Sequence, residues 1–280
     1  MSKIARHATD AELVREGVAR KKKTLAELLD AAGDYAGALS LVLGAAHSYA
    51  GYLDAAGAKT AELCRALGLG AEAASAIFAL GSGSGSVSVS FPLGSRRLSL
   101  PATGPTDSTH AGDWRVGWWL AQIVRDRDAI DRLVSTPVDV LRRSSTRGDE
   151  CQYLFIEALQ GFERRAPDWS DRLQAALDAT DPTRVRLSDE EFVLNVLVPE
   201  MQMVFRLALG ETGPFDEAVE FALERHRKYW SKGNRKQDPD GFLALGALGI
   251  CSIAHDAGVP VAVESDYMPR ELVEGACRRR

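Results

Sequence analysis

Apolar residues recur at helical spacing through most of the chain. Between Asp10 and Ala32 they fall at Leu13, Val14, Val18, Leu25, Leu28 and Leu29. That spacing predicts a helix with Thr9 or Asp10 as its cap and Glu12 in its first turn. Tyr35 to Ala56 repeats the pattern through Leu39, Val42, Leu43, Ala46, Tyr49 and Leu53, and Gly57 supplies a stop. Lys59 to Leu80 reads as a third helix, with a break expected near Leu67-Gly68-Leu69-Gly70. Together they predict a helical N-terminal layer over residues 1–80.

The period changes at residue 81. Gly81 to Ser86 alternates glycine with serine, has too little side chain to pack, and reads as a flexible link. Val87, Val89 and Phe91 then alternate with serines, and Leu98 and Leu100 alternate after Arg97. With Pro92-Leu93-Gly94-Ser95 between them, these runs predict a β-hairpin near residues 86–100, so that 81–100 forms a link and hairpin. A phosphate-cradling loop is the rival reading of the glycines. It lacks the G-x-x-x-x-G-K-[ST] pattern, and no helix follows at once.

Helical spacing returns over 101–280. Asp113–Asp126 carries Trp114, Trp118, Leu120 and Val124; Glu150–Arg164 carries Tyr153, Leu154, Ile156 and Phe162; and Trp169–Ala179 follows. Ser188-Asp189-Glu190-Glu191 is a capping box opening a long helix to Leu209, which Pro199 should kink or split. Phe215–Trp230 and Phe242–Ala257 come next, Val261–Val263 is extended, and Pro269 opens a last short helix. The expected fold is all-α, with antiparallel helix pairs stacked as a bundle or short solenoid and one small hairpin. No fixed-period repeat marks it as a known array, and 101–280 is expected to close on the N-terminal layer as one globular unit.

Composition narrows the function. The chain has 280 residues, 45% hydrophobic and 26% charged, with a net charge of −5. That is an ordinary globular balance without the basic surplus of a general phosphate-backbone binder. Cys64, Cys151, Cys251 and Cys277 lie far apart with no C-x-x-C pair, so they are expected to be reduced, with neither disulfide nor zinc. Met1 to His7 lacks the apolar run of a signal peptide. Phe242 to Ala254 is nearly uncharged but, at 13 residues, short of the roughly 20 that a membrane span needs. Its Gly246 and Gly249 predict close helix packing instead. A soluble cytoplasmic protein is expected. Only 8 of the 34 basic residues are lysines, a bias expected of a GC-rich genome such as an actinobacterial one rather than of a function.

Candidate chemistry is sparse. His226 sits on the apolar stripe Phe215, Val219, Ala222, Leu223, His226, Trp230. It is either a general base or, on the plainer reading, a hydrogen-bonded core histidine. Arg125-Asp126-Arg127-Asp128 either holds a guanidinium fork for an anion or is a solvated helix end. Trp114, Trp118 and Trp119 would stack on a base only if exposed, and their spacing suits a core. Lys21-Lys22-Lys23 and Arg278-Arg279-Arg280 read as solvated charge, and Asp189-Glu190-Glu191 as helix capping. No H-E-x-x-H, G-x-S-x-G or Cys-His dyad is present, and no cofactor or metal is expected.

Several phrases in the second two-thirds form an ordered set. They are Leu100-Pro101-Ala102-Thr103-Gly104-Pro105, the Trp114–Asp126 segment with Trp-x-x-x-Trp-Trp-Leu-Ala and its Arg-Asp ending, and Leu159-Gln160. Leu223-x-x-His226-Arg227-x-Tyr229-Trp230, Asp240-Gly241, Asp256-Ala257-Gly258 and Glu264-Ser265-x-Tyr267-x-Pro269 follow. Over residues 86–275 the set resembles the immunity protein 49 family of bacterial polymorphic-toxin systems. The resemblance implies a mostly helical cytoplasmic protein that binds and neutralises a toxin domain by protein–protein contact, without direct nucleic-acid or membrane contact. Its matched polar positions, Arg125, Asp126, His226, Tyr229, Asp240, Glu264 and Tyr267, with Tyr153 added, make a candidate pocket. The alternative is a subunit of a biosynthetic enzyme complex, in secondary metabolism, that uses a polar pocket around His226. A pocket converging on His226 favours the enzyme, and a broad exposed acidic or apolar patch favours the inhibitor.

Overall fold

The computed structural model describes residues 3–210 and 212–278. Met1, Ser2, Arg279 and Arg280, and with them most of the terminal basic run, lie outside the described residues. The chain is mostly helical, with helices packed in pairs and one two-stranded antiparallel hairpin.

The N-terminal layer is α1 (Ala11–Ala31), α2 (Ala38–Ala55) and α3 (Thr60–Ser82). Asp10 caps α1, its carboxylate accepting the N–H groups of Glu12 at 2.8 Å and Leu13 at 3.2 Å. Two expectations fail in α3. It runs unbroken through Gly68 and Gly70, and it takes in Gly81 and Ser82, the start of the expected link. Gly81 is buried, and a Cβ there would meet Thr109 at 2.5 Å, so the small residue serves packing and not flexibility.

The hairpin is β1 (Ser88–Leu93) with β2 (Arg96–Pro101), in a register pairing Val89 with Leu100 and Phe91 with Leu98. Its apolar face lies on α3, and Phe91, Leu93 and Leu100 are buried. Gly94 turns the chain at φ +63°, where an L side chain is disfavoured, and its N–H donates to Glu72 of α3 at 2.7 Å.

Next come α4 (Ala111–Val124), α5 (Arg127–Ser135), α6 (Val138–Arg142), α7 (Glu150–Glu163) and α8 (Trp169–Asp178). Trp114, Trp118 and Trp119 are fully buried, which removes the base-stacking reading. Then α9 (Glu190–Phe192) passes through a π-turn at Val193–Leu197 into α10 (Val198–Leu209). Pro199 therefore stands in the first turn of α10, just past an interruption of the α-helical pattern. The wider turn ahead of it, with Val198 N–H reaching back to Val193 O, makes room for a ring that cannot donate. The last helices are α11 (Thr212–Trp230), α12 (Leu245–Asp256) and α13 (Arg270–Val273), with 3₁₀ turns at Gly233–Gln237 and Pro239–Gly241.

Close packing at the glycines of α12 is as the sequence suggests. A Cβ at Gly246 would lie 2.1 Å from the Glu200 carboxylate, and one at Gly249 2.7 Å from the Trp119 ring. Glu200 is buried in α10, and burial raises its carboxyl against the opposing Arg115, whose Nη1 donates to both its oxygens at 2.8 Å.

The cysteine expectation is half wrong. Cys64 of α3 and Cys277 form a disulfide across 213 residues of sequence, while Cys151 and Cys251 are free and buried. The pairing depends on tertiary proximity of two distant segments, which local spacing does not encode. Two helical stretches, Thr60–Ser82 and Glu190–Leu209, are long and apolar enough to cross a membrane by length and composition, but the first is largely buried inside the fold.

Candidate functional site

The candidate residues separate into a filled cluster, several structural anchors and the rim of a cavity. At the centre of the cluster is His226, carried on the buried face of α11. Its Nε2 lies 2.9 Å from Gly241 O, so that nitrogen carries the proton. Tyr267 stands edge-on to the imidazole, ring centroids 4.9 Å apart at 72°. The Tyr267 hydroxyl accepts the His7 N–H at 3.0 Å and pairs with His7 Nδ1 at 2.7 Å. His7 Nε2 in turn lies 3.1 Å from Lys236 O. Phe242, fully buried, closes the other side of His7. Burial, helped by the nearby charge of His7, Arg6 and His47 and resisted by the bond to Gly241, pushes the His226 imidazole down to about 4. His226 is therefore neutral near pH 7, with its proton committed to a carbonyl.

Asp240 flanks this cluster, accepting Ser48 Oγ at 2.8 Å with His47 Nδ1 3.7 Å away. Tyr229, one turn from His226, donates to Asp189 at 3.2 Å and lies beneath the Arg235 guanidinium, 4.0 Å from its ring. Asp189 also caps α9, so the acidic run does its predicted capping work as well as holding Arg235 at 3.0 Å.

Arg125, Asp126 and Tyr153 are elsewhere. Arg125 ends α4 in the left-handed region at φ 56°, and its guanidinium donates to Ile123 O and Leu272 O, each at 2.7 Å, and to Val273 O. Asp256 pairs with it at 3.2 Å. The fork is real, but protein carbonyls fill it, and it clamps α4 to α12 and α13. Asp126 caps α5 through the Ala129 N–H at 3.0 Å. Tyr153 accepts the Gly148 N–H at 3.0 Å, with Arg142 stacked 4.6 Å from its ring centroid.

Glu264 alone faces an open space. A cavity of about 650 Å³ is lined by Lys3 and Arg6 of the N-terminal segment, Asp54 of α2, and residues within 255–274 that include Glu264, Asp266 and Glu271. His226 is not among its lining residues. Asp54, largely buried, is paired with Arg6. Burial pushes the Asp54 carboxyl up to about 6, the Arg6 charge offsets this in part, and Glu271 and Asp266 add to the rise.

A second, shallower groove of about 430 Å³ runs between α8, α10 and α11, with Leu177, Phe205, Pro214 and Phe221 in its walls. Phe205, Phe221 and the neighbouring Leu194 and Leu209 are each more than a third exposed.

Sequence reasoning passed over Asp54, Arg6 and Glu271, because no motif joins residues drawn from both chain ends. It also missed Asp149, which accepts the N–H groups of Arg186, Leu187 and Ser188 at 2.7–3.2 Å. Burial would raise that carboxyl, yet these donors hold it below the usual carboxylate range. An Asp at a helix start was the available signal, although here it anchors a distant loop. Among the described residues no group of three or more His, Cys, Asp or Glu side chains is arranged to hold a metal ion.

No curated protein and no solved structure matches the chain. The family model for immunity protein 49 matches residues 54–272, reaching upstream of the quoted phrases to take in the end of α2 and all of α3. With most of its length matched, the chain belongs to the immunity protein 49 family.

Proposed function

We propose that this protein binds a cognate toxin domain and neutralises it by protein–protein contact. Membership of the immunity family over residues 54–272 is the observation that carries the reading. Three features agree with it. The polar residues around His226 spend their hydrogen bonds on one another, which suits a scaffold, and the surface keeps exposed aromatic side chains at Phe205 and Phe221 of the kind that anchor interfaces. A net charge of −5 complements a basic partner domain.

Co-expression with its cognate toxin domain tests the proposal. The protein restores growth and co-elutes with the toxin domain as a defined complex. Persistent toxicity at matched expression, or separate elution, overturns it. Cytoplasmic action is part of the same proposal, and it is in tension with the Cys64–Cys277 bridge, since disulfides are uncommon in a reducing cytosol. Fractionation with thiol labelling of the recovered protein decides where it acts and in which redox state.

A further inference from the structure

The 650 Å³ cavity is within the usual size of a ligand pocket and its walls carry an uneven charge. Five carboxylates, Asp54, Glu264, Asp266, Glu271 and Glu274, face three bases, Lys3, Arg6 and Arg270. Each base is already engaged. Lys3 is 2.5 Å from Asp266, and Arg270 is 2.8 Å from Glu274 and 3.8 Å from Glu264. Arg6 divides its guanidinium between Asp54, Asp266 O and Phe242 O. Glu271 has no ion-pair partner among the described residues. The Asp54 side chain is only 13% exposed and shares its one cation with two carbonyls. The remaining wall is mostly apolar, with Val261, Val263 and Met268, and also includes Ser265 and His255. An acid surplus beside an apolar wall selects a cation on a hydrocarbon stem, because a buried carboxylate is stabilised by a paired charge and the stem covers apolar surface.

We infer that this cavity binds an arginine or lysine side chain presented by the toxin domain, with Glu271 as its counter-charge and Val261, Val263 and Met268 along its stem. The inference rests on the proposed function and adds where on the molecule the partner is gripped. Free polyamines carry the same chemistry, so the test separates the two sources.

The full chain is titrated by calorimetry at pH 7.5 with butylguanidinium, with butanol as the uncharged control, and with spermidine. Butylguanidinium binds saturably and butanol does not. Glu271→Gln weakens butylguanidinium about fivefold, as expected for one partly solvated charge pair, and Glu271→Lys abolishes binding. Glu271 is exposed, so both variants keep the fold, as melting checks. Adding the toxin domain then displaces butylguanidinium. Non-saturable binding, or equal affinity in Glu271→Gln, overturns the cavity. Spermidine that binds tighter than butylguanidinium and stays bound when the toxin domain is added overturns the partner as the source. The titrations on the chain alone need no toxin, so failure of the cavity is distinguishable from failure of neutralisation.

Discussion

Two neighbouring regions are built from the same pair of chain segments, and one is filled while the other is open. His7 and Tyr267 turn inward and join His226, Phe242 and Gly241 in a cluster where the imidazoles, the phenol and the carbonyls serve one another. Their immediate neighbours Arg6 and Asp266, with Glu264, line a cavity whose acids outnumber its bases. The segments are pinned together by Ile4 N–H to Glu264 O at 2.9 Å and Asp266 N–H to Ile4 O at 3.1 Å, so one short pairing fixes both regions. The difference teaches that residue type does not mark a binding site. Histidine and tyrosine, the richer chemistry, are consumed by folding, whereas an ordinary carboxylate, Glu271, is left without an ion-pair partner among the described residues.

The largest break in this comparison comes from emptying the filled side. Tyr267→Ala should cost about 4 kcal/mol, since the ring is fully buried and its hydroxyl satisfies His7. Tyr267→Phe keeps the ring but orphans His7 and should cost about 1–3 kcal/mol. Urea midpoints at constant slope measure both. Equal losses from the two variants would mean that the hydroxyl carries the cluster and the packing does not.

On the open side, Cys277→Ser removes the bridge that ties the cavity's C-terminal wall to α3. Closing 213 residues of chain is worth about 5 kcal/mol in the chain-entropy account. Hydrogen exchange should rise over residues 270–278 and stay low over 222–230. Uniform loosening of both stretches would show that the two regions are not separately held.

Acid separates the regions by sign. His226 titrates at about 4 when folded, against an ordinary value of 6.5, so its contribution is fully present above 6.5 and is lost as pH falls through 6.5 toward 4. The loss amounts to about 3 kcal/mol. His7, also lowered by burial, acts in the same direction. Asp54 acts oppositely: raised to about 6, it adds stability as pH falls from 6 toward 4. His226→Gln, which retains a donor for Gly241 O, should therefore lose less stability than the wild type between pH 6.5 and 4. A steeper loss in the variant would contradict the neutral, buried imidazole.

How much of this was legible in the sequence depended on range. The Asp10 cap, the turn at Gly94 and the helical spacing of α1, α2 and α11 are local signals, and each element follows them. Gly246 and Gly249 even announced their close contacts, because an apolar helix with two glycines has few other uses. What stayed hidden was long-range. Arg125 reads as a helix end, yet its fork is filled by carbonyls of residues 272 and 273. Cys64 and Cys277 look unrelated until α3 and the C-terminal segment meet. Of the cavity, Glu264 was legible only through the family resemblance; Asp54 and Arg6 fit no motif because 48 residues separate them and only the folded chain brings them together.

Growth protection against the co-expressed toxin domain, compared between His226→Gln and Glu271→Lys at equal soluble protein, tests the central claim most directly. His226→Gln should protect as the wild type does, because the filled cluster only supports the fold, while Glu271→Lys should lose protection by placing a cation where the partner's belongs. Protection lost in His226→Gln and retained in Glu271→Lys would contradict the account.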